Sequence, residues 1–468
     1  MFRSSATVRM AGTTLALLWV APALAQDTAP DTAALKERLE RAEVELRAVR
    51  DRLGPTAVAV GAPVFDNPLP QVLPDNPAPV PGGAKGKYPS IEISGAFQVD
   101  VGLFSQSTAN RRAVGVADDG ADFRRARLAA AGDIAEHMGY RLQIDFAVLT
   151  KLRFTDAWFD FKDVLGLDRI VLGQFKQPIG LEDLTSFRFN PFFERSPLFL
   201  LVPFRQIGAG VFESAADGGW TYAISAYVPG QDITGAELGN SGDAGLATRL
   251  TFCPLYADDG SRVMHLGAAY SLSGPTAGTM RFGTQGGNAP EFALTNPFGG
   301  AGSTPSFVDT GEFKADLYDL WGVESAAVWG PFSVQGEAML AQLDRPHKAA
   351  VDFWGGYVFA TLFLTGEHRV YDRKRGEFDR ILPLHDFQPW KDGCLWGGAL
   401  ELATRLSYID LTDRNIHGGR LTDLTCGWNW YLNPYAKMSF NYIHAFLDRP
   451  PTGQSNADVF ALRGQIEF

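Results

Sequence analysis

The sequence predicts an all-β transmembrane protein, namely a sixteen-stranded antiparallel β-barrel preceded by a short periplasmic coiled-coil helix. Three observations support this fold class. The 468-residue chain begins with an export signal, most of its length alternates apolar and polar residues, and only 20% of its residues are charged. Alternating segments of about ten residues that are separated by turns are typical of transmembrane barrels.

Composition excludes several other classes. Disordered chains are rich in charge and poor in aromatic residues, whereas this chain is 46% hydrophobic and 12% aromatic. Beyond the first 25 residues, no run approaches the roughly 18 apolar residues of a membrane-spanning helix. The formal net charge of −11 argues against nucleic-acid binding. Cys253, Cys394 and Cys426 are far apart and odd in number, so they predict neither a disulfide framework nor a zinc site.

Residues 1–25 have the features of a signal peptide. Arg3 and Arg9 flank a short polar start, an apolar stretch follows over 10–20, and Ala23-Leu24-Ala25 provides an A-x-A cleavage site. A retained anchor helix is the alternative, but the stretch is short and nothing after it stops transfer. We therefore expect cleavage after Ala25 and a mature protein outside the cytoplasm.

Two segments of different character precede the barrel. Residues 26–54 are predicted to form a periplasmic coiled coil, because their apolar residues recur at steps of four and three. These residues are Leu35, Leu39, Ala42, Leu46, Val49 and Leu53. Self-association is the expected use, and a solvated amphipathic helix is the alternative. Residues 55–87 are predicted to be a linker, because the stretch from Pro55 to Pro89 holds nine prolines and should be an extended spacer.

Residues 88–468 are predicted to form the transmembrane barrel. The last strand shows the pattern, with Phe460, Leu462 and Ile466 alternating with Arg463 and Gln465. A soluble β-sandwich also alternates, but the export signal and an aromatic residue at the end of an amphipathic strand favour the barrel. The predicted strands span residues 90–105, 122–134, 139–151, 153–163, 169–178, 207–215, 220–229, 244–256, 261–273, 316–329, 332–343, 353–365, 396–411, 417–432, 435–447 and 457–468. Their number is even, as in bacterial single-chain barrels.

The connections between these strands predict two different rims. If the first strand rises from the periplasm, tight turns such as Asp258-Asp259-Gly260 and Gly330-Pro331 all lie on the periplasmic rim. The long connections 179–206 and 274–315 then lie on the external rim, as such barrels show. The connection 366–394 is an exception, because it is long but falls on the periplasmic rim.

The polar half of each strand predicts a water-filled lumen, because sixteen strands enclose more space than side chains can fill. An ionisable residue that faces lipid near the midplane would cost about 2–4 kcal/mol, so charged strand residues should face inward. The predicted lumenal residues are Arg125, Arg127, Arg141, Arg249, Arg405 and Arg463, with Asp145, Asp156 and Glu401. Each one could be a solvated wall residue or a solute ligand. Arg125 and Arg127, two apart on one strand, are predicted to form a basic stripe.

Seven motifs in consistent order carry a family resemblance. They are Phe123-Arg124-Arg125-Ala126-Arg127-Leu128, Gly173-Gln174-Phe175-Lys176-Gln177-Pro178, Phe193-Glu194-Arg195-Ser196, Gly330-Pro331-Phe332-Ser333-Val334-Gln335-Gly336-Glu337, Phe363-Leu364-Thr365-Gly366-Glu367, Asn429-Trp430-Tyr431-Leu432 and Asn441-Tyr442-Ile443-His444. From about residue 88 to Phe468, the chain resembles the phosphate-selective porin family (the porin O and P type). The resemblance implies a trimeric sixteen-stranded outer-membrane channel whose long loops and one periplasmic connection fold inward.

On this resemblance, the connection 179–206 would form a constriction. Its charged residues are Glu182, Arg188, Glu194, Arg195 and Arg205, and Phe187, Phe189, Phe192 and Phe193 could pack it against the wall. Glu–Arg pairs that merely fasten the loop are the equal alternative to solute contact. The connection 366–394 would gather anions at the periplasmic mouth through Arg369, Arg373, Lys374, Arg375 and Arg380.

Anion preference is better supported than strict phosphate specificity. Phosphate-selective members of the family are thought to use a ladder of arginines and clustered lysines. Arg125 and Arg127 match the ladder, but no lysine lies between Lys176 and Lys314. Arginine alone still binds phosphate well through bidentate bonds.

The sequence predicts a channel without catalytic chemistry. The usual nucleophile, metal and nucleotide motifs are missing, and the seven histidines have no ligand spacing, so neither a cofactor nor a metal is expected. We expect an outer-membrane porin that passes small anions such as phosphate by passive diffusion. The alternatives are a general non-selective porin and a structural protein that tethers the outer membrane to the cell wall.

The export signal, the barrel pattern and the family resemblance together predict a location and a set of partners. We expect a homotrimer in the outer membrane of a Gram-negative bacterium, with the N-terminal segment in the periplasm. The expected partners are outer-membrane lipid, lipopolysaccharide and small anionic solutes, with peptidoglycan as a further candidate and no nucleic acid.

Overall fold

The described part of the chain is a closed barrel. The computed structural model describes residues 88–147, 153–229, 244–275, 278–283, 304–391 and 394–468. Within these residues, sixteen antiparallel strands follow one another around the barrel in chain order. The predicted signal peptide, coiled coil and linker lie outside the described residues. None of the helices in the described ranges is long and apolar enough to cross a membrane.

The strand bounds confirm the predicted sixteen-stranded barrel. In chain order, the strands are β1 (Glu92–Gln106), β2 (Gly120–Ala135), β3 (Met138–Asp145), β4 (Arg153–Val164), β5 (Leu167–Lys176), β6 (Arg205–Ser214), β7 (Trp220–Val228), β8 (Gly245–Ala257), β9 (Arg262–Ser273), β10 (Leu317–Trp329), β11 (Phe332–Arg345), β12 (Lys348–Phe363), β13 (Ala399–Asp413), β14 (Ile416–Asn433), β15 (Ala436–Arg449) and β16 (Gly453–Glu467). Each overlaps one predicted strand.

Short elements occupy the connections. The helical ones are α1 (Thr108–Val114), α2 (Leu181–Leu184) and the 3₁₀ turns Pro197–Leu201 and Asp258–Gly260. Short two-stranded pairs join Thr279–Met280 to Phe313–Lys314, Tyr371–Asp372 to Glu377–Phe378, and Gln388–Lys391 to Cys394–Trp396.

The barrel closes through the two ends of the described chain. β1 pairs with β16 from Ala96 opposite Glu467 to Gln106 opposite Ala457. The Gly95 N–H donates to the Phe468 carbonyl at 2.7 Å, and the Phe468 N–H donates back at 3.1 Å. A Cβ atom at Gly95 would lie 2.3 Å from the Phe468 ring, so glycine is required where the terminal ring crosses β1. The aromatic end of the chain therefore completes the wall.

The two faces of the wall have opposite character. Large apolar side chains exposed on the outer face include Phe97, Val101, Leu103, Leu128, Trp321, Val323, Trp354, Val358, Leu402, Leu406, Phe460 and Leu462. Buried polar side chains on the inner face include Ser94, Gln98, Asp100, Gln143, Glu324, Glu401, Asp423 and Gln465. This is the alternation of a wall with hydrocarbon on one side and a polar lumen on the other.

The two rims differ as predicted. The terminal rim, which carries both ends of the barrel, has the tight turns at 258–261, 330–331 and 434–435 together with the long connection 364–398. The opposite rim has the long connections 177–204 and 274–316. Short connections also occur there, such as 414–415 between β13 and β14.

Candidate functional site

The connection between β5 and β6, here called the inner segment (residues 177–204), lies inside the barrel. Wall side chains donate hydrogen bonds to its backbone carbonyls from several strands. Arg463 Nη1 reaches Phe193 at 2.6 Å, and Asn429 Nδ2 reaches Pro191 at 2.8 Å. Because these donors lie on β16 and β14, the inner segment crosses the lumen from its origin at β5.

A wall carboxylate fixes the start of the inner segment. Glu337 on β11 accepts hydrogen bonds from the backbone N–H groups of Leu181 (3.0 Å) and Glu182 (2.6 Å). Gly180 has a φ of +77°, and a Cβ atom there would lie 2.9 Å from a Glu337 carboxylate oxygen. Arg195 then donates to the carbonyls of Glu182 and Asp183, which ties the end of the segment to its beginning.

Three arginines meet at the carboxylate of Glu194. Arg124 donates from Nε at 3.0 Å and from Nη2 at 3.1 Å, and Arg125 donates from Nη1 at 2.9 Å and from Nη2 at 2.7 Å. Arg463 adds a bond of 2.9 Å from Nη2 and also pairs with Asp100 at 2.6 Å. This cluster, called the Glu194 cluster, therefore contains three guanidinium groups and two carboxylates.

Arg124 reaches the lumen through a β-bulge that the sequence analysis missed. Gln98 pairs with Arg125 and Val99 pairs with Phe123, so Arg124 is the extra residue on β2. Regular alternation would place Phe123 and Arg125 on the same face, yet Phe123 is exposed outside and Arg125 is buried inside. An apolar residue two positions before an inward arginine was the signal that could have indicated the bulge.

The phenylalanines of the inner segment stack on lumenal arginines. Both Arg125 and Arg127 place Cζ 4.7 Å from the centre of the Phe187 ring. Phe192 lies under Arg405 at 4.4 Å, and Phe193 lies under Arg463 at 4.5 Å. The predicted packing of these rings against the wall therefore takes the form of cation–π contacts.

Every predicted lumenal arginine has a carboxylate within 4 Å. Apart from Arg125 and Arg463, the pairs are Arg127–Asp145 at 2.8 Å, Arg141–Asp156 at 3.5 Å, Arg249–Glu324 at 2.6 Å and Arg405–Glu182 at 2.6 Å. In the inner segment, Arg188 is 3.9 Å from Glu467 and Arg195 is 3.3 Å from Asp183. Among them, Arg405–Glu182 and Arg188–Glu467 join the inner segment to the wall, as the loop-fastening alternative requires.

Arg205 belongs to the wall and not to the predicted constriction loop. β6 begins at Arg205, two residues before its predicted start, and Arg205 Nε donates to Asp156 at 2.9 Å. The pairing of Arg205 opposite Lys176 on β5 carries the strand to this point. The prediction that Arg205 is a residue of the constriction loop is therefore wrong.

Glu182 and Glu194 are both buried in the inner segment but differ in acidity. Burial raises the pKa of Glu182 above its ordinary value, and Arg405 offsets this only in part. Burial acts in the same direction on Glu194, but Arg124, Arg125 and Arg463 together hold the pKa of Glu194 well below its ordinary value. The number of guanidinium groups around each carboxylate explains the difference.

The connection on the terminal rim also enters the lumen, as an inner hairpin (residues 366–381). Arg249 Nη2 on β8 donates to the carbonyl of Gly376 at 2.8 Å, and Arg369 Nη1 donates to Gln335 on β11 at 3.0 Å. Arg380 Nη2 pairs with Glu467 on β16 at 2.7 Å. The wall partners Arg249, Gln335 and Glu467 are buried on the inner face of the barrel.

The remaining predicted residues of the terminal mouth, Arg375, Lys374 and Arg373, also have partners. Arg375 pairs with Asp372 at 2.6 Å and with Asp379 at 2.8 Å. Lys374 is exposed and donates to the carbonyl of Ala215 at 2.8 Å, and Arg373 lies over the Tyr256 ring at 4.7 Å. The five predicted basic residues therefore lie along one hairpin, and only Lys374 among them is exposed.

His265 was missed as a contact of the inner hairpin. Its Nδ1 lies 2.6 Å from the Tyr371 hydroxyl, and its Nε2 lies 2.9 Å from Glu324, which also pairs with Arg249. A lone histidine on an alternating strand gives no sequence signal for this contact. Among the described residues, no group of three or more histidine, cysteine or acidic side chains could hold a metal ion.

A closed sixteen-stranded barrel with an apolar outer face and a charged inner face defines an outer-membrane channel protein. The chain belongs to the family described as phosphate-selective porin O and P, which matches residues 91–468. Porin O of Pseudomonas aeruginosa is 27% identical over 415 residues, which cover 81% of this chain and 88% of that protein. An uncharacterized protein of Caulobacter vibrioides is 25% identical over 451 residues, covering 90% of this chain and 86% of that protein.

Solved structures of porins also resemble the chain. An anion-selective porin from Comamonas acidovorans is 12% identical, with a TM-score of 0.49 and coverage of 81% of this chain and 99% of that structure. OmpT of Vibrio cholerae is also 12% identical, with a TM-score of 0.49 and coverage of 81% and 97%. Family membership indicates an outer-membrane channel rather than an enzyme.

Proposed function

We propose that the protein passes small anions, phosphate among them, through the outer membrane by passive diffusion. The observation that carries this proposal is the Glu194 cluster, where three guanidinium groups face two carboxylates in the lumen. A surplus of positive charge inside a low-dielectric wall concentrates anions and excludes cations. Guanidinium groups also match the geometry of phosphate oxygens.

The proposal includes a narrowed pore. The inner segment and the inner hairpin enter from opposite rims, and many of their side chains are buried against the wall. Water and ions must then pass around both connections instead of through an open sixteen-stranded lumen. We further propose that the terminal rim faces the periplasm and that residues 26–54 lie there as a segment for trimerisation.

Reversal potentials of the purified protein in planar bilayers test anion selectivity. In a potassium chloride gradient, the expected sign is that of chloride permeation. Addition of phosphate should then reduce the chloride current, because phosphate competes for the same arginines. A reversal potential of the cationic sign would contradict the proposal, and an absence of current at all voltages would favour the structural tether.

A general non-selective porin is the second candidate. The pairing of each predicted lumenal arginine with a carboxylate favours it, because paired charges produce a weaker field in the lumen. The same measurement separates the candidates. A non-selective porin gives a permeability ratio near one and no competition by phosphate.

A further inference from the structure

The carboxylate of Glu194 occupies a position with the geometry of an oxyanion site. Arg124 and Arg125 each donate two hydrogen bonds to it, so both carboxylate oxygens are shared between two guanidinium forks. Arg463 approaches one of these oxygens from β16 at 2.9 Å. Phosphate-type oxyanions are recognised by the same fork geometry, because their oxygens have a similar spacing and charge.

The backbone of the inner segment is held here independently of that carboxylate. Arg463 Nη1 donates to the carbonyl of Phe193, and Arg405 Nη2 donates to the carbonyl of Glu194 at 3.1 Å. Phe187 and Phe193 add ring contacts with Arg125 and Arg463. These contacts use atoms other than the Glu194 carboxylate, so they do not require the carboxylate to stay on the guanidinium groups.

We propose that Glu194 is a tethered competitor for a small-oxyanion site formed by Arg124, Arg125 and Arg463. A phosphate-type anion that enters the lumen displaces the Glu194 carboxylate from the three arginines, and the carboxylate returns when the anion leaves. This inference rests on the proposed function, because it requires small anions to reach the lumen. It explains how a strongly binding arginine cluster can release its solute, since a carboxylate of the same chain takes its place.

The competition has a simple charge balance. With Glu194 bound, the cluster has three positive and two negative groups, and an arriving singly charged anion, such as dihydrogen phosphate, replaces one carboxylate without changing the number of negative charges on the arginines. Removal of the Glu194 charge leaves the three guanidinium groups with the Asp100 carboxylate, which pairs with Arg463. The site is then vacant for solute anions and more positive by one charge.

The variant Glu194→Gln tests the proposal, with Glu401→Gln as the matched control. Glu401 is a buried lumenal carboxylate outside the Glu194 cluster, and it accepts hydrogen bonds from Asn429 (2.9 Å) and Tyr431 (2.8 Å). Both variants remove one negative charge from the lumen. A general rise in positive potential would therefore affect them equally, whereas release of the arginine cluster affects Glu194→Gln alone.

The measurement is the phosphate concentration that halves the chloride current in planar bilayers. We expect Glu194→Gln to lower it by about tenfold or more, because a charge-assisted bond is typically worth that much. Glu401→Gln should lower the half-blocking phosphate concentration by a clearly smaller factor, less than about threefold. Equal decreases in both variants would overturn the tethered competitor, as would an unchanged value in Glu194→Gln.

A measurement on the unmutated protein does not depend on folding of the variant. Infrared difference spectra between equal ionic strengths of chloride and phosphate should show a shift of one carboxylate band, as Glu194 leaves its guanidinium partners. A spectrum without a carboxylate shift would overturn the proposal. Anion selectivity of the unmutated channel shows which proposal has failed. If the channel is anion-selective, only the tethered competitor is overturned. If it is not, the proposed function is overturned as well.

Discussion

The two connections that enter the lumen are held by different chemistry. The inner segment presents carboxylates to arginines of the wall, as in the pairs Arg125–Glu194 at 2.7 Å and Arg405–Glu182 at 2.6 Å. The inner hairpin presents the carbonyl of Gly376 to Arg249 at 2.8 Å and its own Arg380 to the wall carboxylate of Glu467 at 2.7 Å. Its Tyr371 and Phe378 also pack in an apolar cluster with wall residues.

This difference separates two tasks of a narrowed channel. A solute anion competes for a guanidinium group that binds a carboxylate, because both ligands carry the same charge. At the inner hairpin, the carboxylate that pairs with Arg249 is Glu324 of the wall, so a competing anion would displace a wall group there and not a carboxylate of the connection. The inner segment should therefore set selectivity, whereas the inner hairpin should set the width of the terminal mouth.

The largest expected effect is that of Arg125→Ala on phosphate competition. Arg125 donates two of the bonds at Glu194, so we expect the half-blocking phosphate concentration to rise by about tenfold or more. Arg127→Ala should have a smaller effect, because Arg127 pairs one-to-one with Asp145 at 2.8 Å. The measurement is block of chloride current in planar bilayers.

Arg420→Ala is the control for this prediction. Arg420 lies half-exposed on β14 and pairs with Asp410 at 2.8 Å, away from the Glu194 cluster. Its removal should leave phosphate block unchanged. If Arg125→Ala and Arg127→Ala also leave the block unchanged, the basic stripe is not the anion site.

Local alternation was sufficient to predict the barrel, but not the arrangement of charge inside it. The inward direction of Arg141, Arg405 and Arg463 follows from parity within one strand, because a lipid-facing charge is costly. Their partners follow from the path of the inner segment across the lumen, which parity does not determine. Glu182, for example, meets Arg405 although 223 positions separate them.

The bulge at Arg124 shows a second limit of sequence reasoning. One extra residue reverses which side chains face the lumen. In the sequence, its one sign is that regular alternation would put apolar Phe123 and charged Arg125 on the same face. The start of β6 at Arg205 shows a third, because the end of a strand depends on pairing with Lys176 and not on the pattern of β6 itself.

A moderate effect is expected for Tyr371→Phe in the inner hairpin. Loss of the hydroxyl contact with His265 removes about 1 kcal/mol, which corresponds to about fivefold more frequent departures of the hairpin from the wall. Single-channel recordings should show more current fluctuations, with an unchanged reversal potential. Tyr408→Phe, which removes a hydroxyl near Asp410 on the outer face, should leave the recordings unchanged. A shifted reversal potential in Tyr371→Phe would contradict the separation of tasks.

The smallest expected effect is a pH dependence that originates in Glu182. Because burial raises its pKa, Glu182 takes up a proton at a higher pH than an ordinary glutamate does as the pH falls. Arg405 then loses its charged partner, the lumen becomes more positive, and the chloride-to-potassium permeability ratio rises. Glu194 has a lowered pKa, so it stays ionised at pH values at which Glu182 has already taken up a proton.

Two variants assign this pH dependence to its residue. Glu182→Gln is neutral at every pH, so its permeability ratio should already be higher at neutral pH and should rise less on acidification. Glu194→Gln should keep the rise, because it leaves the Arg405–Glu182 pair intact. If the permeability ratio rises equally in Glu182→Gln and in the unmutated protein, Glu182 is not the origin of the pH dependence. The difference in pKa between the two buried glutamates of the inner segment would then be contradicted.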